Sequence, residues 1–200
     1  MFTNYKKFMA GLLALATGFA VSSNIVSAKA AAPTVLETAT TSNLTSLNEE
    51  EIAGLLFMRE EEKLARDVYN QLYELWGQPI FKNIAASEQM HMDQIKSLLD
   101  RYGLTDPALG SGQFADPALQ ALYNQLIAQG SLSLADALNV GALIENTDIA
   151  DLQTHLSQTD QADIQLVYTN LMNASYNHLA VFTGTQSQGY GKGRGNSPRQ

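Results

Sequence analysis

The sequence predicts an all-α fold: a four-helix bundle whose second and third long helices are joined by a long crossover containing a short extra helix. Three observations predict it. Apolar residues recur at intervals of three and four along four long stretches. No segment alternates apolar and polar residues as a half-buried strand does. The connections between the stretches run tight, long and tight, which is a bundle of two hairpins with one crossover.

The first helix opens at Ser46, with Glu49 three residues on as an S-x-x-E capping box, and runs to about Trp76. Its apolar stripe steps through Leu55, Met58, Ala65, Val68, Leu72 and Trp76. Gly77 ends it, and Pro79 suits the first turn of the next helix, where a missing N–H costs nothing. The second helix extends to Tyr102, with Ile84, Met90 or His91, Ile95, Leu98 and Leu99 facing inward, and Gly103 stops it. In the crossover, Asp106-Pro107 and Asp116-Pro117 each read as an N-cap followed by a first-turn proline, and the second pair starts a short helix through Ala128. Ser131 or Ser133 caps the third long helix, which reaches about Ser157. Thr159 or Asp160 caps the fourth, which reaches about Phe182.

Composition narrows the function. The chain of 200 residues has no cysteine, which excludes disulfides, thiolate metal sites and cysteine nucleophiles. A formal charge of −8 argues against nucleic acid as a partner, since a basic surface is what displaces phosphate counterions. Lys6 and Lys7, the apolar run Phe8 to Val21 and the small-residue end Ala28-Lys29-Ala30 form a secretory leader over residues 1–30. The apolar run is shorter than the roughly 20 residues of a membrane span. The expected localisation is therefore export, to a periplasm or the extracellular space. Residues 31–43 read as a flexible spacer, 44–183 as the bundle, and 184–200 as a disordered, basic, Gly-rich tail.

The chemistry lies in polar residues that interrupt the apolar stripes. Glu88 and His91 form an E-x-x-H on the second helix; three residues apart, they share a face and can reach one metal ion. This unit supplies ligands in carboxylate-bridged di-iron and di-manganese bundles. Glu60-Glu61-Glu62 falls in the middle of the first helix, and three consecutive side chains cover about 200° of arc, so at least one points inward. The others read as a solvated run with Lys63 and Arg66 as ion-pair partners. Glu62 lies 15 residues before Gly77 and His91 lies 13 after Gln78, which puts them at nearly the same height in an antiparallel hairpin. In the second hairpin Glu145 sits on the buried stripe, where a carboxylate needs a metal, an arginine or a hydrogen-bond donor. Asp148 follows it by three residues. His178 on the fourth helix is either a ligand or a satisfied core histidine, a little more than a turn beyond the level of Glu145.

The stretch REEEKLARDVYNQLYELWGQPIFKNIAASEQMHMDQIKSLLDRYGL, from Arg59 to Leu104, resembles an uncharacterised ferritin-like domain of exported bacterial and archaeal proteins, domain of unknown function 2202. The segments GALIENTDIADL and NASYNHLAVF are similar to its second half. In the wider ferritin-like superfamily a ligand Glu on the first helix is followed by Ala at +3 and Tyr at +7. Glu62, Ala65 and Tyr69 match that spacing, which favours Glu62 over Glu61. The resemblance implies metal ligands at Glu62, Glu88, His91, Glu145 and His178, and an iron centre, di-iron or mononuclear, with manganese or zinc as substitutes. It departs at Ser175, where the pattern asks for Glu three residues before His178; Asp148 is the residue that could restore the charge. The function expected is metal binding with oxidase or peroxide-handling chemistry, served by an electron donor, with oligomer formation left open. The alternative is a non-catalytic structural or interaction bundle in the cell envelope.

Overall fold

The computed structural model describes residues 46–184, so the expected leader 1–30, the spacer 31–43 and the tail from residue 185 onward lie outside the described residues. Within them the chain forms five helices and no strand: α1 (Glu49–Trp76), α2 (Pro79–Tyr102), α3 (Pro117–Gly130), α4 (Leu134–Leu156) and α5 (Ala162–Phe182). Helix α1 packs on α2 and α4 on α5; the two pairs meet through α1 with α4 and α2 with α5, and α3 lies against α1 and α4. No helix among the described residues is long and apolar enough to cross a membrane.

Helix α1 starts two residues later than the S-x-x-E reading expects. The capping box is Asn48 with Glu51: Asn48 Oδ1 accepts from the Glu51 N–H and Glu51 Oε2 accepts from the Asn48 N–H, both at 2.8 Å. Leu47, just before the cap, packs against the core, which fixes the entry of the chain. Gly77 closes α1 in the left-handed conformation (φ 64°) that glycine adopts without steric cost, and two residues later α2 runs back along α1. Of the two serines before α4, Ser133 is the cap, and Asp116 caps α3 through the Ala118 and Leu119 N–H groups. The cap of α5 falls on Gln161 rather than on Thr159 or Asp160. The Thr159 hydroxyl instead donates to Glu51 Oε1 (2.7 Å) and accepts from Gln161 N–H, tying the α4–α5 turn to the start of α1.

The charge run of α1 is not solvated. Arg59, Glu60, Lys63 and Asp67 are all buried, and they hold the crossover against α1. Arg59 donates to both Asp106 carboxylate oxygens and to the Met92 carbonyl. Glu60 accepts the Ala115 and Asp116 N–H groups. Lys63 Nζ donates to Asp67 and to the Gln113 carbonyl, above the Phe114 ring. These groups are buried because the crossover covers them, and they satisfy its backbone, which buried polar groups require.

The apolar core is in two parts. One contains Leu64, Val68 and Leu72 with Phe81, Ile84, Val140, Ile144 and Phe182. The other contains Leu55 and Met58 with Ile95, Leu99, Leu152, Ile164 and Leu171. On every long helix the break between them falls where the charged residues lie: at Glu62 on α1, Glu88–His91 on α2, Glu145–Asp148 on α4 and Ser175–His178 on α5.

Candidate metal centre

Four helices bring their polar residues into that break. On α2 the i, i+3 spacing puts Glu88 and His91 on one inward face; His91 is buried while its neighbour Met90 is 58% exposed, which settles the choice between them. His91 Nδ1 lies 3.1 Å from Glu62 Oε2 and 2.7 Å from Glu88 Oε2. His178 Nδ1 lies 2.9 Å from Glu88 Oε1 and 3.4 Å from Glu145 Oε2. His178 thus sits at the level of the cluster, not a turn beyond it. Glu88 stands at the middle, one carboxylate oxygen toward each imidazole. Glu62, Glu88 and His91 can each offer an atom within 4.8 Å of the others, and so can Glu88, Glu145 and His178.

The supporting contacts orient these groups. The two imidazoles stack with centroids 5.7 Å apart, and behind them Ser87 Oγ lies 3.1 Å from His178 Nε2 and 3.5 Å from His91 Nε2. A hydroxyl oxygen has two lone pairs, so Ser87 can accept from both Nε2–H groups. Both Nδ1 lone pairs then face carboxylates, a repulsive arrangement unless protons or a cation lie between. Tyr69 donates to Glu145 Oε1 at 2.6 Å. Asp148 joins neither group of three: its Oδ2 meets the Ser175 hydroxyl at 2.5 Å, so the position where a fourth-helix Glu was expected carries a Ser–Asp contact instead.

Charge is badly balanced in the layer. Burial drives the Glu62 carboxyl up to about 8 against the pull of His91, and Glu145 up to about 7 against that of His178. Asp148 is raised well above its usual range by burial and then by Glu62. Burial also pushes Glu88 up, but its two imidazole contacts outweigh that and bring it down to about 2. Burial pulls both imidazoles down, yet their carboxylate neighbours carry His91 to about 11 and His178 to about 9. Even so, Glu62 Oε1 has no hydrogen-bond partner among the described residues, and Glu88 Oε1 and His178 Nδ1 meet only each other, at 2.9 Å without hydrogen-bond geometry. These orphaned atoms, an oxygen and nitrogen donor set aimed inward, fit a cation.

Sequence reasoning missed Ser87, and nothing in its spacing marks it, because its role depends on both imidazoles meeting over it. It also read Glu60 as solvated and left Glu61 open, and both are buried.

Residues 51–192 match a family described as an uncharacterized protein domain, DUF2202. The uncharacterized protein MJ0754 of Methanocaldococcus jannaschii is 52% identical over 138 residues, covering 68% of this chain and 75% of that one. The crystal structure of hypothetical protein MJ0754 matches with a TM-score of 0.69 at 50% identity, over 70% of this chain and 82% of that chain. A DUF305 fragment from Deinococcus radiodurans matches with a TM-score of 0.52 at 14% identity, over 70% and 97%, a likeness of fold alone.

Proposed function

The chain belongs to the DUF2202 family, and from that premise we propose that it is an exported, ferritin-like four-helix bundle that binds metal through Glu62, Glu88, His91, Glu145 and His178. The observation that carries this reading is Glu88, whose two oxygens face His91 and His178 separately, as a carboxylate shared between two cation positions would. Carboxylate and imidazole donors suit iron, manganese and zinc alike; iron is the ion proposed, and it would supply electron exchange with oxygen or peroxide.

The chain's own residues do the rest. Two apolar clusters above and below the layer exclude water. Ser87 holds both imidazoles so that Nδ1 of each faces inward, and Tyr69 fixes one oxygen of Glu145. Outer partners of this kind set ligand orientation and basicity. Ser175 favours a second reading, a polar layer that pairs internally and only specifies the packing, because its hydroxyl supplies no anionic ligand.

The two readings separate by experiment. Glu88→Ala and His91→Ala each remove most of the metal found by elemental analysis after dialysis, while helix content by circular dichroism stays near that of the parent. Equal metal content in parent and variants rules the metal reading out.

A further inference from the structure

Solvent meets the five proposed ligands at one of them. The His178 side chain is 12% exposed, whereas those of Glu62, Glu88, His91 and Glu145 are at most 5% exposed. His178 turns Nδ1 toward the buried carboxylates Glu88 and Glu145, at 2.9 and 3.4 Å, and Nε2 toward the half-buried Ser87, at 3.1 Å. The wet edge of the ring is therefore the Nε2 edge, which lies in the seam between α2 and α5. Both ends of that seam are fastened. Toward one end Arg101 and Tyr102 of α2 each donate to Asp163 of α5 at 2.8 Å, and toward the other the Phe81 and Phe182 rings meet with centroids 6.0 Å apart. His178 stands between these fastenings. Other sides of the layer are covered: α1 carries the crossover through Glu60 and Lys63, and α3 packs on α1 and α4. Turning the His178 ring breaks its contact with Ser87 and uncovers Glu88 Oε1 and Glu145 Oε2, the oxygens its Nδ1 faces.

We propose that a hydrated divalent cation reaches the buried centre through the α2–α5 seam, and that His178 is the ligand that swings aside to admit it, with Ser87 as its latch. The ion meets Glu88 and Glu145 first, and the ring closes behind it when Nε2 returns to Ser87. His91 stays in place, enclosed and within 3.1 Å of both Glu62 and Glu88. The exposed edge and the latch stand on these contacts; the nature of the traveller rests on the metal reading above.

Mn2+ uptake by the full, metal-free chain tests the route, with stopped-flow mixing following entry and electron paramagnetic resonance counting free ion. Met90 is 58% exposed and lies three residues from Ser87, on the same side of α2, so a charge placed there changes the potential at the seam without disturbing the core. Met90→Lys is expected to slow uptake about two- to fivefold and Met90→Glu to speed it by a like factor, both reaching the parent's final Mn2+ count. Ala150→Lys, at an exposed position on α4, should leave the rate unchanged. Ser87→Ala should speed uptake about two- to tenfold, the worth of one hydrogen bond. A rate indifferent to the charge at position 90, or slowed as much by Ala150→Lys, would overturn the route, and an unchanged rate in Ser87→Ala would overturn the latch. Uptake that ignores position 90 leaves the metal reading intact and removes only the seam. A parent that takes up no Mn2+ fails the metal reading itself, and the route falls with it.

Discussion

Ser87 shows how much one side chain can decide. Its hydroxyl lies behind both imidazoles and fixes which nitrogen of each faces the carboxylates. Ser87→Ala removes that acceptor without adding bulk, so each ring can rotate or change tautomer. Metal affinity is expected to fall about 10- to 100-fold, as it does when the outer partners of ligating histidines are lost. Isothermal titration with Mn2+ measures it; an unchanged affinity would mean that neighbouring packing, not Ser87, orients the rings. The E-x-x-H and the Glu62–His91 height match were legible in the sequence because they depend only on helical spacing and a two-residue turn. Asp148 and His178 were harder. Their positions depend on how the second hairpin is set against the first, which no local spacing encodes.

At the level of elements, close helix contacts place the ligands. An added Cβ at Gly141 of α4 would lie 2.4 Å from the Phe182 ring of α5, and the Gly141 carbonyl lies 3.4 Å from Tyr69 Oη. Gly141→Ala therefore forces α4 and α5 apart or drives Phe182 off its rotamer, a cost of about 1–3 kcal/mol. Thermal melting should show the loss, and Tyr69 should no longer hold Glu145 in place. A melting temperature equal to the parent's would mean that the interface yields freely. Helix spans were legible to within two residues, since Gly77, Gly103 and Asp116-Pro117 punctuate the chain clearly, but Asp106-Pro107, read in the same way, starts no helix because Asp106 is bound to Arg59. The caps at Ser46 and at Thr159 or Asp160 were misplaced. Asn48 offers the same chemistry two residues later, and Thr159 is drawn into a contact with Glu51, 108 residues away in sequence.

Across the whole molecule, the polar layer gives the metal-free protein an unusual pH response. Glu62 and Glu145 are raised to about 8 and 7, and His91 and His178 to about 11 and 9. A group whose folded pKa exceeds its unfolded value adds stability below the unfolded value and loses it as pH rises through the folded one. For these carboxyls and imidazoles the folded state binds more protons than the unfolded chain from about pH 5 upward. The melting temperature of the chelated protein should therefore fall between about pH 5 and 9. With Mn2+ in excess the trend should reverse, because the ion binds deprotonated ligands and displaces those protons. Parallel pH slopes with and without Mn2+ would remove the cation from the account.

The sequence alone determined the helices, their order, the long crossover and the motif on α2. These follow from periodicity, caps and turn residues, which act over a few positions along the chain. Only the tertiary structure decided which charges are inside. Glu60 and Lys63 look like a solvated run until the crossover folds over them, Glu61 until α4 packs against α1, and His178 looks remote until α2 and α5 pack together. Burial depends on what comes to lie on top of a residue, and that partner is 29 to 91 positions away for the contacts between helices that join Glu62 to His91 and Ser87 to His178.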